Sequence, residues 1–338
     1  MSRLGLILDN RILSLYTHRN SQKRSKGELN NIAHSIMFHH FRDEIDPMGQ
    51  GALLGSEFEL LLDWIGERYN LLNAEEYQYK AENGILSPSD VSLSLDDGLL
   101  CQFNIAFPIL EKRELTAFFF IYSSPLKGQP SNLEIFRYFR TVCFSDISQF
   151  YDCFFKKCES IYPQQYSTAT KNFKAISYLN DFLFYSENDK FFRYLRDVVL
   201  GDEIYEELMF LMFKEKSFSV AEVLHKLWMS NSHIKDLHSN GHVIGLHSFT
   251  HPTTFDEFTY SSQKQEYKNN YEQLADLLGS KITAMAHPCG KYDEDTLKIL
   301  GDLGISIGFR SNMSNATTGS LLELPREDQS NIIKMIEN

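Results

Sequence analysis

The chain has 338 residues, 43% of them hydrophobic and 23% charged, which is enough to bury a sizeable core and too apolar for a disordered chain. Its 33 lysines and arginines stand against 45 aspartates and glutamates, and the net charge of −12 excludes a nucleic acid partner, whose phosphates would be repelled over most of the surface. The longest apolar run, Leu115 to Tyr122 broken by Thr116, is far short of the roughly 20 residues that span a bilayer, so no membrane span is expected.

Residues 1–30 read as a loosely structured N-terminal segment that ends in a basic stretch, Arg19 to Lys26. Asp9 and Arg11 interrupt its apolar start and no small-residue cleavage site follows, so no secretory signal is expected. The five cysteines form no Cys-x-x-Cys pair, and an odd number of reduced thiols fits a cytoplasmic protein.

The first ordered elements are a short strand at Ile36–His40 and a helix over Ser56–Tyr69, with apolar residues at helical spacing and Ser56 as its N-cap. Val91–Leu95 alternates apolar and polar residues, as a half-buried strand does, and runs into Asp96-Asp97-Gly98. A helix at Phe103–Lys112 and a strand at Ala117–Tyr122 complete a β-α-β unit. That order predicts a parallel sheet with the acidic pair at a strand's C-terminal end, where α/β barrels place their chemistry.

From 126 to 231 the rhythm breaks. Leu133, Phe136, Phe139 and Cys143 recur at helical intervals, as do Phe191, Leu195 and Val198, and then Val220, Leu224 and Leu227 behind a capping box of Ser219 and Glu222. This is an aromatic-rich helical insertion. An aromatic core, a substrate-covering lid and a homo-oligomer interface all suit it. Alternation resumes with a helix at Ser232–Ser239, a strand at Val243–Leu246, a helix at Gln263–Leu278 and a strand at Ile282–Ala286. A helix at Asp293–Leu303, a strand at Ile305–Phe309 and a final short strand at Leu321–Leu324 follow. The predicted organisation is a barrel split into residues 31–125 and 232–338 by the insertion.

Three polar groups lie at predicted strand ends. Asp96 and Asp97 point different ways, so one can bind a metal while the other handles a proton. The same pair is also what a helix cap followed by a turn acid looks like. His247 and His251, four apart on a helical turn, lie within reach of one metal ion. Six of the 11 histidines fall between 225 and 251, so that spacing also arises from composition. His287-Pro288-Cys289-Gly290 is a tight turn where backbone can approach a ligand.

Together these residues resemble the polysaccharide deacetylases with a NodB homology domain, carbohydrate esterase family 4. Ser94-Leu95-Asp96-Asp97-Gly98 matches the family's Thr-Phe-Asp-Asp-Gly motif. His247 to His251 matches its His-Ser/Thr-x-x-His, preceded by Gly241-His242-Val243-Ile244-Gly245. Phe38-His39 is similar to a Tyr-His near the start of many members. The resemblance implies an α/β fold, a distorted (β/α) barrel of the NodB type with a helical insertion.

It also implies a site. Asp97, His247 and His251 would hold a divalent metal, most simply Zn²⁺, and Asp96 would be the base that deprotonates the attacking water. The backbone N–H of Cys289 would stabilise the oxyanion, with His39, Pro288 and Gly290 against the substrate. Two departures stand out. Ala286 occupies the position of an arginine that orients the base, and Arg326 is the replacement. The family's later Leu-His, its general acid, is missing, and His287 is the nearest donor, ahead of His39 and His40. The implied activity is N-deacetylation of an N-acetylated sugar, which in the cytoplasm would be a nucleotide- or lipid-linked precursor of a surface polysaccharide. Hydrolysis of a non-sugar amide or cyclic imide, or an inactive carbohydrate-binding homologue, are the alternatives.

Overall fold

The structure, a computed structural model, describes residues 32–47, 49, 51–173, 178, 186–313 and 319–337. The expected N-terminal segment lies outside these residues. Seven parallel strands build the barrel: β1 (His34–Phe38), β5 (Asp90–Asp96), β6 (Phe118–Ile121), β7 (Val243–Leu246), β8 (Ala284–Ala286), β9 (Ile307–Phe309) and β10 (Arg326–Asp328). Short β4 (Asn70–Leu71) pairs with the start of β5, and β2 (Phe41–Arg42) pairs with β3 (Leu53–Leu54) outside the barrel. The spatial order β10-β1-β5-β6-β7-β8-β9 leaves β9 and β10 at opposite ends of the ladder. One segment nearly closes the gap between them. Leu324 pairs with Phe309 of β9, exchanging bonds with Gly308 and Arg310, and two residues later β10 pairs with β1.

Side-chain alternation separates two apolar regions. Phe118 and Phe120 of β6 join Ala284, Ala286, Ile307 and Phe309 inside the barrel, and Tyr77 packs among them from helix α2 (Ala74–Glu82). Val91, Leu93, Leu95, Phe119 and Ile121 belong to the larger core outside it. The β5 strand is therefore buried along its whole length, where alternation had predicted one wet face. Its polar members do not meet solvent: Ser94 donates to the Ile36 carbonyl, and both Ser92 and Ser94 are fully buried.

Several expected elements change on inspection. Helix α1 runs Gly55–Gly66 with Leu54, not Ser56, as its cap residue. The expected helix at 103–112 opens with a π-turn, Gln102–Ala106, before α3 (Phe107–Lys112). Leu321–Glu323 is a 3₁₀ turn and the last strand is β10, because Pro325 holds the chain extended one step later. Between β6 and β7, helices α4 (Asn132–Val142), α5 (Ile147–Ile161), α6 (Pro163–Phe173), α7 (Glu187–Tyr194) and α8 (Gly201–Glu215) pack through Phe136, Phe139, Phe150, Phe154, Phe192 and Phe213. The expected helix behind Ser219 is two 3₁₀ turns instead, and the Ser219 hydroxyl caps neither. Helices α9 (Asn231–Ser239), α10 (Tyr260–Leu278), α11 (Glu294–Asp302) and α12 (Gln329–Glu337) complete the chain. Among the described residues no helix is long and apolar enough to cross a membrane.

Candidate metal and hydrolytic site

The C-terminal ends of the strands converge on one acidic, histidine-rich site. Asp96 ends β5, Asp97 follows it, His247 follows β7, and His39 follows β1. Asp97 Oδ1 lies 3.5 Å from His247 Nε2 and 3.4 Å from His251 Nε2. The ligand atoms of the three residues lie within 4.8 Å of one another, and all three residues are buried. His247 Nδ1 donates to the Ala286 carbonyl at 2.8 Å, which leaves its Nε2 lone pair aimed at Asp97.

Backbone strain is concentrated here. Of six non-glycine residues with left-handed backbones among the described residues, four are at the site: Asp97, Ser248, His251 and Cys289. The two histidines thus meet through a loop with left-handed Ser248 and His251, not along the helical turn expected from their spacing. Neighbouring groups hold that loop. The His247 N–H donates to Asn270 Oδ1, those of Phe249 and Thr250 to Glu266 Oε2, and that of His251 to Ser248 Oγ. Asn270 is fully buried and its amide also donates to the Ile121 carbonyl and Ser123 Oγ, so one side chain ties β6 to the first histidine.

The two aspartates differ in environment. Arg326 donates to Asp96 Oδ1 at 2.7 Å, to Ser94 Oγ at 3.3 Å and to the Arg310 carbonyl at 2.6 Å. Burial alone would raise the Asp96 carboxyl; the charge of Arg326, with His247 and His39 behind it, outweighs burial and holds it well below the usual carboxylate range. At Asp97 the charges of His39 and Arg137 act in the same sense but do not outweigh burial. Burial pushes its carboxyl up, with Glu134 and Asp96 adding to the effect, and its Oδ1 is buried without a hydrogen-bond partner. Burial likewise lowers His247, to about 3, and His251, keeping both imidazoles neutral. Two neutral imidazole nitrogens facing an unpartnered carboxylate oxygen are a donor set for a divalent cation, and the three residues fit one.

The other expected site residues divide. His39 Nε2 lies 3.8 Å from Asp96 Oδ2 and its side chain keeps 35% exposure, so it borders both that carboxylate and solvent. Cys289 sits in the Pro288–Gly290 turn within electrostatic reach of Asp97. Gly290 is left-handed and a Cβ there would fall 2.1 Å from Ser311 Oγ, which accounts for glycine at this position. His287 is not brought to the triad. It is fully buried, its Nε2 donates to the Leu322 carbonyl at 2.8 Å, and its ring stacks on Tyr292. The general acid expected there needs another residue.

Gln102, Glu134, Glu266 and Asn270 escaped the sequence reading. For one of them a signal exists: Gln263, Tyr267, Asn270 and Leu274 form the buried face of α10, and a polar residue at a core position of a helix announces a buried hydrogen-bonding task.

The family model described as polysaccharide deacetylase matches residues 207–308, a span that carries both histidines. Residues 207–308 are thus similar to the polysaccharide deacetylases. Three solved structures share its fold over nearly their whole length. IcaB from Ammonifex degensii is 15% identical with a TM-score of 0.55, over 91% of this chain and 96% of that one. Streptococcus pyogenes deacetylase PplD, in complex with acetate, is 16% identical with a TM-score of 0.52, over 90% and 98%. The de-N-acetylase from Aggregatibacter actinomycetemcomitans is 13% identical with a TM-score of 0.52, over 90% and 99%. No curated protein matches the chain. The deacetylase fold is thus the distorted (β/α) barrel that the motifs implied, with the helical segment between β6 and β7.

Proposed function

We propose that this protein is a metal-dependent N-deacetylase that removes the acetyl group from an N-acetylated sugar. The observation that carries the reading is the division of labour between adjacent carboxylates: Asp97 is left with an unpartnered oxygen facing two imidazoles, while Asp96 is ionised and oriented by Arg326. Asp97, His247 and His251 would hold the cation, most simply Zn²⁺. A divalent cation there supplies Lewis acidity, polarising the acyl carbonyl and acidifying water.

Asp96 takes the proton from the attacking water at Oδ2, the oxygen that Arg326 leaves open. The Cys289 N–H, with Pro288 and Gly290 shaping its turn, supports the developing oxyanion. Because His287 is engaged by Leu322 and Tyr292, we assign protonation of the leaving amine to His39, which borders Asp96 and remains open to substrate. Products are acetate and a free amine. A nucleotide- or lipid-linked precursor in the cytoplasm is the substrate class we favour.

Acetate release from a panel of N-acetylated monosaccharides, nucleotide sugars and oligosaccharides tests this. Release by the Zn²⁺-loaded protein, lost in Asp96→Asn, is expected. Release only from non-sugar amides or imides would replace the substrate class, and none from any substrate would leave a carbohydrate-binding role.

A further inference from the structure

The segment between β6 and β7 reaches the site at several separate points. Leu227 and Met229, at its C-terminal end, exchange backbone hydrogen bonds with Leu100 and Gly98, directly behind Asp97. The Trp228 indole N–H donates to the Tyr122 hydroxyl, and the Tyr122 ring lies 5.3 Å from that of His251. At the other end, the Ser124 N–H donates to the Phe249 carbonyl in the histidine loop. The most specific contact is made by a charge. Glu134, in the first turn of α4, is 6% exposed, and its Oε2 lies 2.9 Å from His40 Nε2.

A buried carboxylate is costly unless its partner is fixed, and in this pair the partner is the residue next to His39. The β1–β2 turn is held from two directions. Gln102 Nε2 donates to both the His39 carbonyl and the Asp96 carbonyl, tying the two backbones together. Glu134 holds the neighbouring imidazole, whose ring lies nearly parallel to that of His39. Backbone and side chain of the turn are then both restrained, as a group that must deliver a proton within hydrogen-bond reach requires.

We propose that Glu134 is a positioning residue: by holding His40 it fixes the turn from which His39 reaches Asp96, which makes the helical insertion part of the catalytic apparatus. The inference rests on the deacetylase reading only for its effect on turnover. The charge of Glu134 also reaches Asp97 and His251, as expected for a carboxylate in the wall of the site.

Glu134→Gln, nearly isosteric, is the test, read in zinc-loaded protein labelled with ¹⁵N-histidine and assigned by His39→Gln and His40→Asn. Ring resonances of His39 and His40 should move while those of His242, buried against Phe107 and Phe119, stay in place, with zinc content unchanged. On a substrate that releases acetate, kcat/KM should fall about ten- to a hundredfold, and the same substitution should cost nothing further in His39→Gln. Glu134→Asp should recover part of the loss. Should Glu134→Gln fail to fold, His40→Asn removes the same bond from its other end and should give the same His39 shift. An unmoved His39 resonance overturns the proposal whether or not any substrate is turned over. An equal loss in the His39→Gln background overturns it too. A moved resonance with no turnover on any amide would leave the positioning intact and remove the deacetylase reading.

Discussion

Arg326 on β10 and Asp96 on β5 form a fully buried ion pair past the intervening β1, with the guanidinium 2.7 Å from Oδ1 and both side chains at most 3% exposed. The same arginine grips the Arg310 carbonyl, so the residue that holds Asp96 also ties β10 to the loop after β9. The position filled by arginine in many deacetylases is Ala286, on β8, and here the charge reaches Asp96 from the opposite end of the ladder.

Arg326→Met should therefore do two things. Stripping one partner from a buried pair costs about 3–5 kcal/mol, to be read from denaturant unfolding. It should also raise the acid limb of the pH profile of kcat/KM, because burial then acts on Asp96 without its counter-charge. The sign for stability follows: the carboxyl is depressed in the folded protein, so the pair stabilises above about pH 4, the unfolded carboxylate's range, and that contribution is lost as pH falls.

Asp96→Asn should reduce turnover by about 10²- to 10⁴-fold while zinc remains bound, since it removes the base and no ligand. Zinc content and kcat measured on one preparation check this; loss of the ion with activity would make Asp96 a ligand.

Asn270→Ala and Glu266→Ala should each weaken zinc about ten- to a hundredfold, measured by chelator competition. Neither touches the ion. Each releases backbone donors of the strained loop, and unchanged affinity would show that the loop holds its shape unaided.

The chemistry was more legible in this sequence than the scaffold that aims it. Asp96-Asp97-Gly98 and His247 to His251 stand out because ligands and bases must be particular residue types, and β7 came out at its observed bounds because Gly241 and His247 punctuate it. Arg326 could be paired with Asp96 only because Ala286 stands where the family pattern has an arginine. The failures have physical causes. The alternation in β5 carries no mark of whether the polar face meets water or a barrel interior, and Ser92 and Ser94 meet the interior. Four-residue spacing suggests a helical turn until Ser248 and His251 adopt left-handed backbones, which no local propensity announces. His287 looked catalytic from its neighbours, and its Nε2 is taken by the Leu322 carbonyl, from a turn 35 residues away, while its ring stacks on Tyr292. Glu134 is separated from His40 by 94 residues and shares no motif with it.

Gly245, inside the motif before His247, has a steric reason to be glycine. A Cβ there would sit 2.6 Å from the Phe120 ring and 2.8 Å from the Ala284 carbonyl. Gly245→Ala should cost about 1–3 kcal/mol by overpacking, visible as a lower Tm, and should loosen zinc as β7 shifts against β8.

Metal content of the purified protein beside Asp97→Ala, by elemental analysis after identical zinc loading and dialysis, bears on the proposed chemistry more directly than any assay that needs the right sugar. Near-stoichiometric zinc in the parent chain and its loss in Asp97→Ala, with the fold unchanged by circular dichroism, is the expected result. Equal zinc in both proteins, or none in either, would contradict a site built on Asp97, His247 and His251.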